Sequence, residues 1–194
     1  MPPTLWADPD GSEGLLAEND ARARFEEAML PHLGAAYNLA RWLTRNDHDA
    51  EDVVQEAYVR ALKFFGGFHG GDGRAWLLAV VRNTCYTWLK QNRPREKTAP
   101  FDEAAHGIAT DEMNPERLAV RGDEARQLRL ALEEMPAEFR EAVVLRDLEG
   151  LSYQEIAVVA DVPLGTVMSR LSRGRKRLQQ TMTGRTNKEP GREL

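Results

Sequence analysis

Apolar residues in this chain recur at intervals of three and four, and strict alternation persists nowhere. Phe25, Met29, Leu33, Ala36, Tyr37, Ala40 and Leu43 follow this spacing and trace one face of a helix pair. Pro31 interrupts the run and belongs near a helix start or a kink, because its ring removes a backbone donor. Asn46 or Asp47 suits the N-cap of the next helix. That helix runs to about Phe65, with Val53, Val54, Ala57, Tyr58, Ala61 and Leu62 on its apolar face. Glu51, Asp52, Gln55, Glu56 and Arg60 fall on its polar face. The glycine-rich loop GGFHGGDG follows at 66–73. A third long helix spans about Arg74 to Gln91, apolar and aromatic first and basic towards its end, and Pro94 stops it.

The pattern lapses over 95–121, where Pro100, Gly107 and Pro115 stand among scattered acids, as in a linker. It resumes near Gly122. Leu128, Leu132 and Met135 line one helix face, ended by Pro136. Phe139, Ala142, Val143 and Leu148 line the next, ended by Gly150. Ser152 to Glu155 reads S-x-x-E, a capping box that opens a helix burying Tyr153, Ile156, Ala157 and Ala160. Pro163 is placed as the first residue of a further helix, which buries Val167, Leu171, Gly174 and Leu178. The prediction is an all-α fold of two small helical bundles joined by a flexible acidic linker. Its parts are a flexible acidic tail at 1–20, a bundle at 21–94, the linker at 95–121, a bundle ending in a helix-turn-helix at 122–182, and a flexible tail at 183–194.

Charge changes this picture from a scaffold to a binding protein. The formal net charge of the 194 residues is −5, but it is distributed in blocks. Residues 1–30 and 102–124 each hold seven acids against two bases. Residues 82–97 hold Arg82, Lys90, Arg93, Arg95 and Lys97 against Glu96 alone. From Pro163 to Gln180 there are five positive residues and no acid. A solvated helix face normally mixes signs for local pairing, so an all-basic second helix after a capped one points to a helix lying in a DNA major groove. Two separate basic places suit a polyanion held at two points, while the overall acidity argues against tight binding to nucleic acid by the chain alone. One cysteine, Cys85, excludes an intrachain disulfide and fits a reducing compartment. The opening MPPTLWADPDGSEG has no apolar core of a signal peptide. The longest apolar run, AWLLAVV, is seven residues, against about 20 for a membrane span. The expectation is a soluble, cytoplasmic protein.

LRDLEGLSYQEIA…PLGTVMSRLSRGRKRL closely resembles the second conserved domain of bacterial extracytoplasmic-function (ECF) sigma factors. DAEDVVQEAYVRAL resembles the first-domain helix of that family, and FHGGDGRAWLLAVVRNTCYTWLKQNR its promoter-melting segment. The resemblance covers roughly 22–93 and 123–180. It implies that Asp52, Gln55 and Glu56 dock on the β′ clamp helices of RNA polymerase core. It implies −10 contacts by Trp76, Arg82, Asn83, Lys90 and Arg93, with Asn83 reading a base edge and the cations holding the backbone. A flipped base held near Trp76 would aid strand opening, since unpaired bases stack on aromatics. The −35 element falls to Thr166, Ser169, Arg170, Arg173 and Arg177. Further implied partners are the β flap, promoter DNA and an anti-sigma factor, with no cofactor, metal, catalytic residue or small-molecule substrate. Thr87 stands where many relatives have Asp, and Met168 where many have Lys or Arg, so the promoter preference is this chain's own.

Two other classes of protein fit the sequence less well. An ordinary helix-turn-helix regulator accounts for the C-terminal half but leaves the Asp49–Arg93 pattern unexplained. A metal enzyme built on Asp47, His48, Asp49, Glu51 and Asp52 fails on geometry, since residues so closely spaced on a helix point in several directions and acids gather at helix N-termini for dipole reasons. Cys85 reads as a small buried residue, with a redox role as the alternative.

Overall fold

The computed structural model describes residues 11–92 and 125–186, with side chains at 19–92 and 125–183. Of the tails expected at 1–20 and 183–194, residues 11–20 are helical and residues 183–186 continue the last helix, while the rest of both, with the linker at 95–121, lies outside the described residues. Among the described residues every regular element is helical.

The first bundle is built from α1 (Gly11–Met29), α2 (Leu33–Thr44), α3 (Asp47–Phe64) and α4 (Gly73–Asn92). Pro31 sits in a single 3₁₀ turn, Leu30–His32, between α1 and α2. That turn resets the helical phase. Phe25, Met29, Ala36, Ala40 and Leu43 are buried as the spacing predicts, but Leu33 is exposed and Leu39 takes an inward place instead. Asn46 caps α3 by accepting from the Asp49 backbone N–H. Asp47 anchors the first turn of α3 to α2, taking hydrogen bonds from Arg41 Nε and, at 3.4 Å, Tyr37 Oη. Leu62, assigned by spacing to the apolar face, is 47% exposed, because Ala61 already occupies the inward position of the last turn.

The glycine loop ends in a cap. Gly70 and Gly71 have φ of +91° and +103°, values that L side chains rarely adopt. They bring Asp72 to the head of α4, where its carboxylate accepts from the backbone N–H groups of Arg74 at 2.9 Å and Ala75 at 3.2 Å.

The second bundle contains α5 (125–133), α6 (Ala137–Val143), which runs on into a π turn at Val144–Leu148, then α7 (Tyr153–Ala160) and α8 (Leu164–Thr186). Leu132 and Met135 are buried as expected, whereas Leu128 and Leu148 are exposed. For Leu148 the reason is the π turn: its wider i→i+5 winding swings the last residues off the face that Ala142 and Val143 define. The capping box of α7 is complete, with Ser152 N donating to Glu155 Oε2 at 2.6 Å and Glu155 N to Ser152 Oγ at 3.2 Å. Asp161 closes α7 in the left-handed region, φ 50°, and turns the chain into α8. Pro163 stands one place earlier than expected, in the cap, where its carbonyl accepts from Thr166 and Val167.

The two bundles abut. One continuous core runs from Leu39, Leu78 and Val81 in the first to Leu145, Ile156, Val159 and Leu171 in the second. Trp42 of α2 packs against this core and also against the smaller cluster of Leu132, Met135 and Val143.

Candidate nucleic-acid interface

The helix-turn-helix is formed by α7 and α8. Val167 and Leu171 seat α8 on the core, and Gly174 lets it approach α6 closely. A Cβ on Gly174 would stand 2.8 Å from Val143 Cγ2 and 3.2 Å from the Phe139 carbonyl oxygen. The opposite side of α8 carries Ser169, Arg173, Lys176 and Arg177, all exposed, with Met168 among them. Ser169 donates to the Thr166 carbonyl at 2.9 Å. Arg175, which belongs to the same basic run, turns aside and pairs with Asp147.

Arg170 points elsewhere. Its Nη1 lies 4.0 Å from Oε2 of Glu141, a carboxylate on α6 that is only 1% exposed. The same carboxylate takes a hydrogen bond from Arg82 Nε of α4 and, at 3.0 Å, from Tyr86 Oη. Arg82 also donates to Asn83 Oδ1 at 3.2 Å and lies over the Tyr86 ring, 4.6 Å from its centroid. Burial raises the Glu141 carboxyl above its usual range, while Arg82, Tyr86 and Arg170 act to lower it. Burial and the Glu141 charge both push the Tyr86 phenol up.

The remaining −10 candidates fall into different surroundings. Asn83 and Lys90 are exposed on α4. Trp76 is half-buried in an aromatic group, 5.3 Å from Phe68 and 6.4 Å from Phe65 between centroids. Arg93 lies outside the described residues. Cys85 is buried, and desolvation pushes its thiol up to about 12, so it stays protonated at neutral pH.

On α3, Asp52, Gln55 and Glu56 are all exposed, with Glu56 paired to Arg60 one turn on. The structure adds Val59, 65% exposed, and Leu62 to this face. Helical spacing alone would have found Val59, which follows Gln55 and Glu56 by four and three.

Comparison with known proteins fits this geometry. Residues 29–95 match the family described as Sigma-70 region 2, and residues 125–178 match Sigma-70, region 4. The pair of matches defines a two-region RNA polymerase sigma factor. The chain is 34% identical over 174 residues to the ECF RNA polymerase sigma factor SigE of Mycolicibacterium smegmatis, covering 89% of this chain and 67% of that protein. It is 37% identical to the ECF RNA polymerase sigma-E factor of Escherichia coli, covering 66% of this chain and 71% of that one. Among solved structures, the sigma factor RpoE from Bartonella quintana, crystallised with the anti-sigma factor NepR, superposes with a TM-score of 0.66 at 27% identity. That match covers 82% of this chain and 97% of that one. CnrH, solved with the cytosolic domain of CnrY, shares the fold with a TM-score of 0.58 at 22% identity, over 87% of this chain and 96% of that one. The chain belongs to the ECF family of RNA polymerase sigma factors. As such it is a promoter-specific transcription initiation factor that works with polymerase core and promoter DNA and is not itself an enzyme. No helix among the described residues is long and apolar enough to cross a membrane.

Proposed function

We propose that α3 docks this factor on the β′ clamp helices through Asp52, Gln55 and Glu56, with Val59 and Leu62 as the apolar part of the same contact. The single observation that carries this is the face itself: acids and an amide beside exposed apolar residues on a helix whose other side is sealed by Val53, Ala57 and Ala61. A sealed helix presents one rigid surface, and an apolar patch rimmed by polar residues marks an interaction site. The bundle at 21–94 then melts and reads the −10 element through Trp76, Arg82, Asn83, Lys90 and Arg93. The bundle at 122–182 reads the −35 element through Thr166, Ser169, Arg170, Arg173 and Arg177 and contacts the β flap. The exposure of Asn83, Lys90, Ser169, Arg173 and Arg177 supports this division of labour. The work takes place in the cytoplasm, under an anti-sigma factor; the solved relative RpoE is itself bound to the anti-sigma factor NepR, which supports the second point.

Run-off transcription with core polymerase tests the reading. The chain should confer initiation on its own promoter. Asp52→Ala with Glu56→Ala should lower its affinity for core by tenfold or more, about 1.4 kcal/mol, in a pull-down titration. Initiation that survives the double substitution undiminished overturns the docking assignment.

A further inference from the structure

We propose that Met168, with Leu164 one turn before it, selects the −35 element by apolar contact with the C5-methyl groups of thymine. This rests on the reading of α8 as the −35 helix proposed above, and adds to it two residues and the base they choose. Three observations carry it.

First, both side chains are exposed on a helix that does not need them for its seat. Met168 is 48% exposed and Leu164 37%, whereas Val167 and Leu171 are buried and hold α8 on the core. Exposed apolar side chains that stand singly need no explanation. These two stand four residues apart, and so are neighbours on one flank of the helix. They also lie at its head, the part of a recognition helix that contacts base edges.

Secondly, the head of α8 offers that flank no cation. From Leu164 to Ser172 the only positive residue is Arg170. Its Nη1 lies 4.0 Å from the buried Glu141 carboxylate, away from Met168. Ser169 donates its hydroxyl proton to the Thr166 carbonyl at 2.9 Å. The exposed cations begin at Arg173, about two and a half turns into the helix. Two-point recognition of guanine by arginine is therefore not available at position 168, and what meets the bases there is a thioether chain.

Thirdly, the major groove has one apolar group to match it. Of the four bases, only thymine presents a methyl group there. Methionine is unbranched and adapts its shape to the surface it covers. Four helical residues span about 6 Å, and successive base pairs are about 3.4 Å apart. Leu164 and Met168 can thus touch thymines no more than about two steps apart. Burying a methyl group releases no counterion, so this share of the affinity does not fall with salt.

The test uses the full-length chain assembled with polymerase core, and DNA duplexes randomised over the −35 region. The parent holoenzyme should select thymine at one or two positions, and Met168→Arg should lose that choice. Each thymine of the selected duplex is then replaced singly by deoxyuridine, which removes the methyl group and keeps every hydrogen-bonding group. Opposite Met168 this should weaken parent binding about fourfold, the worth of one buried methyl group. The same replacement should leave Met168→Ala unaffected. Parent binding unchanged by deoxyuridine at every position overturns the proposal. So does a loss that Met168→Ala and Leu164→Ala both retain in full, since another residue then reads the methyl group. Arg173→Ala tells this failure from that of the −35 reading itself. If Arg173→Ala weakens binding while deoxyuridine does nothing, α8 still reads the element and only the methyl contact falls. If neither Arg173→Ala nor Met168→Arg alters the selected sequence, the −35 reading falls and the methyl contact with it.

Discussion

Gly174 shows what a single position can decide. Alanine is a better helix former than glycine by about 1 kcal/mol, so propensity alone would make Gly174→Ala a gain. The added Cβ would instead meet Val143 Cγ2 at 2.8 Å and the Phe139 carbonyl at 3.2 Å, and a backbone carbonyl has little room to yield. We expect a loss of about 1–3 kcal/mol, as for overpacked sites, read as a lower midpoint in urea denaturation. Cys85 makes a second prediction. Its buried thiol holds a proton to about pH 12, whereas the ordinary value is 9.0. A group raised on folding contributes stability that is complete below its unfolded value and is lost as pH climbs to the folded one. Between pH 9 and 12 the cysteine should therefore remove about 1.4 kcal/mol of stability per pH unit. Cys85→Ala should show a shallower alkaline decline in thermal melts, whatever its effect at neutral pH.

Among the elements, α7 and α8 depend on caps and turns that the sequence states openly. Ser152 and Glu155 satisfy each other's backbone N–H groups, and the Ser152 bonds hold the Glu155 carboxyl below its usual range. Ser152→Ala should cost about 1 kcal/mol and should speed amide exchange in the first turn of α7 more than in α8. The same paired bonds mean that this contribution fades as pH falls through the depressed Glu155 value. The capping box, the Asn46 cap and the break at Pro31 were all legible, because each depends on residues within a few positions of one another. Spacing failed at Leu33, Leu62, Leu128 and Leu148. Leu33, Leu62 and Leu148 lie within two residues of the end of an element, where a 3₁₀ turn, a π turn or a neighbour already turned inward overrides the period.

At the level of the whole molecule, the acidic balance and the two basic surfaces belong together. A net charge of −5 disfavours idle binding to nucleic acid, and one bundle offers only part of a promoter contact. Once polymerase fixes both bundles, the second contact becomes intramolecular and effective concentration supplies the affinity. Promoter binding by the isolated chain should therefore be at least a hundredfold weaker than by its mixture with core polymerase. Filter binding at fixed salt would show this, and tight promoter-specific binding without polymerase would sink it.

The sequence by itself determined the helical class, the order of the elements, the capped helix-turn-helix with its basic outer side and the exposed acidic side of α3. All of these follow from periodicity and from contacts between near neighbours in the chain. It also carried the family, in two motif blocks standing in the right order. Only the tertiary structure decided that Arg82, Tyr86 and Arg170 meet on Glu141, that Arg74 and Asn38 meet on Glu149, and that α8 needs a glycine against α6. Those pairs are separated by up to 111 positions. No local period encodes such a meeting, since it depends on how two amphipathic bundles bury their remaining apolar surface against each other.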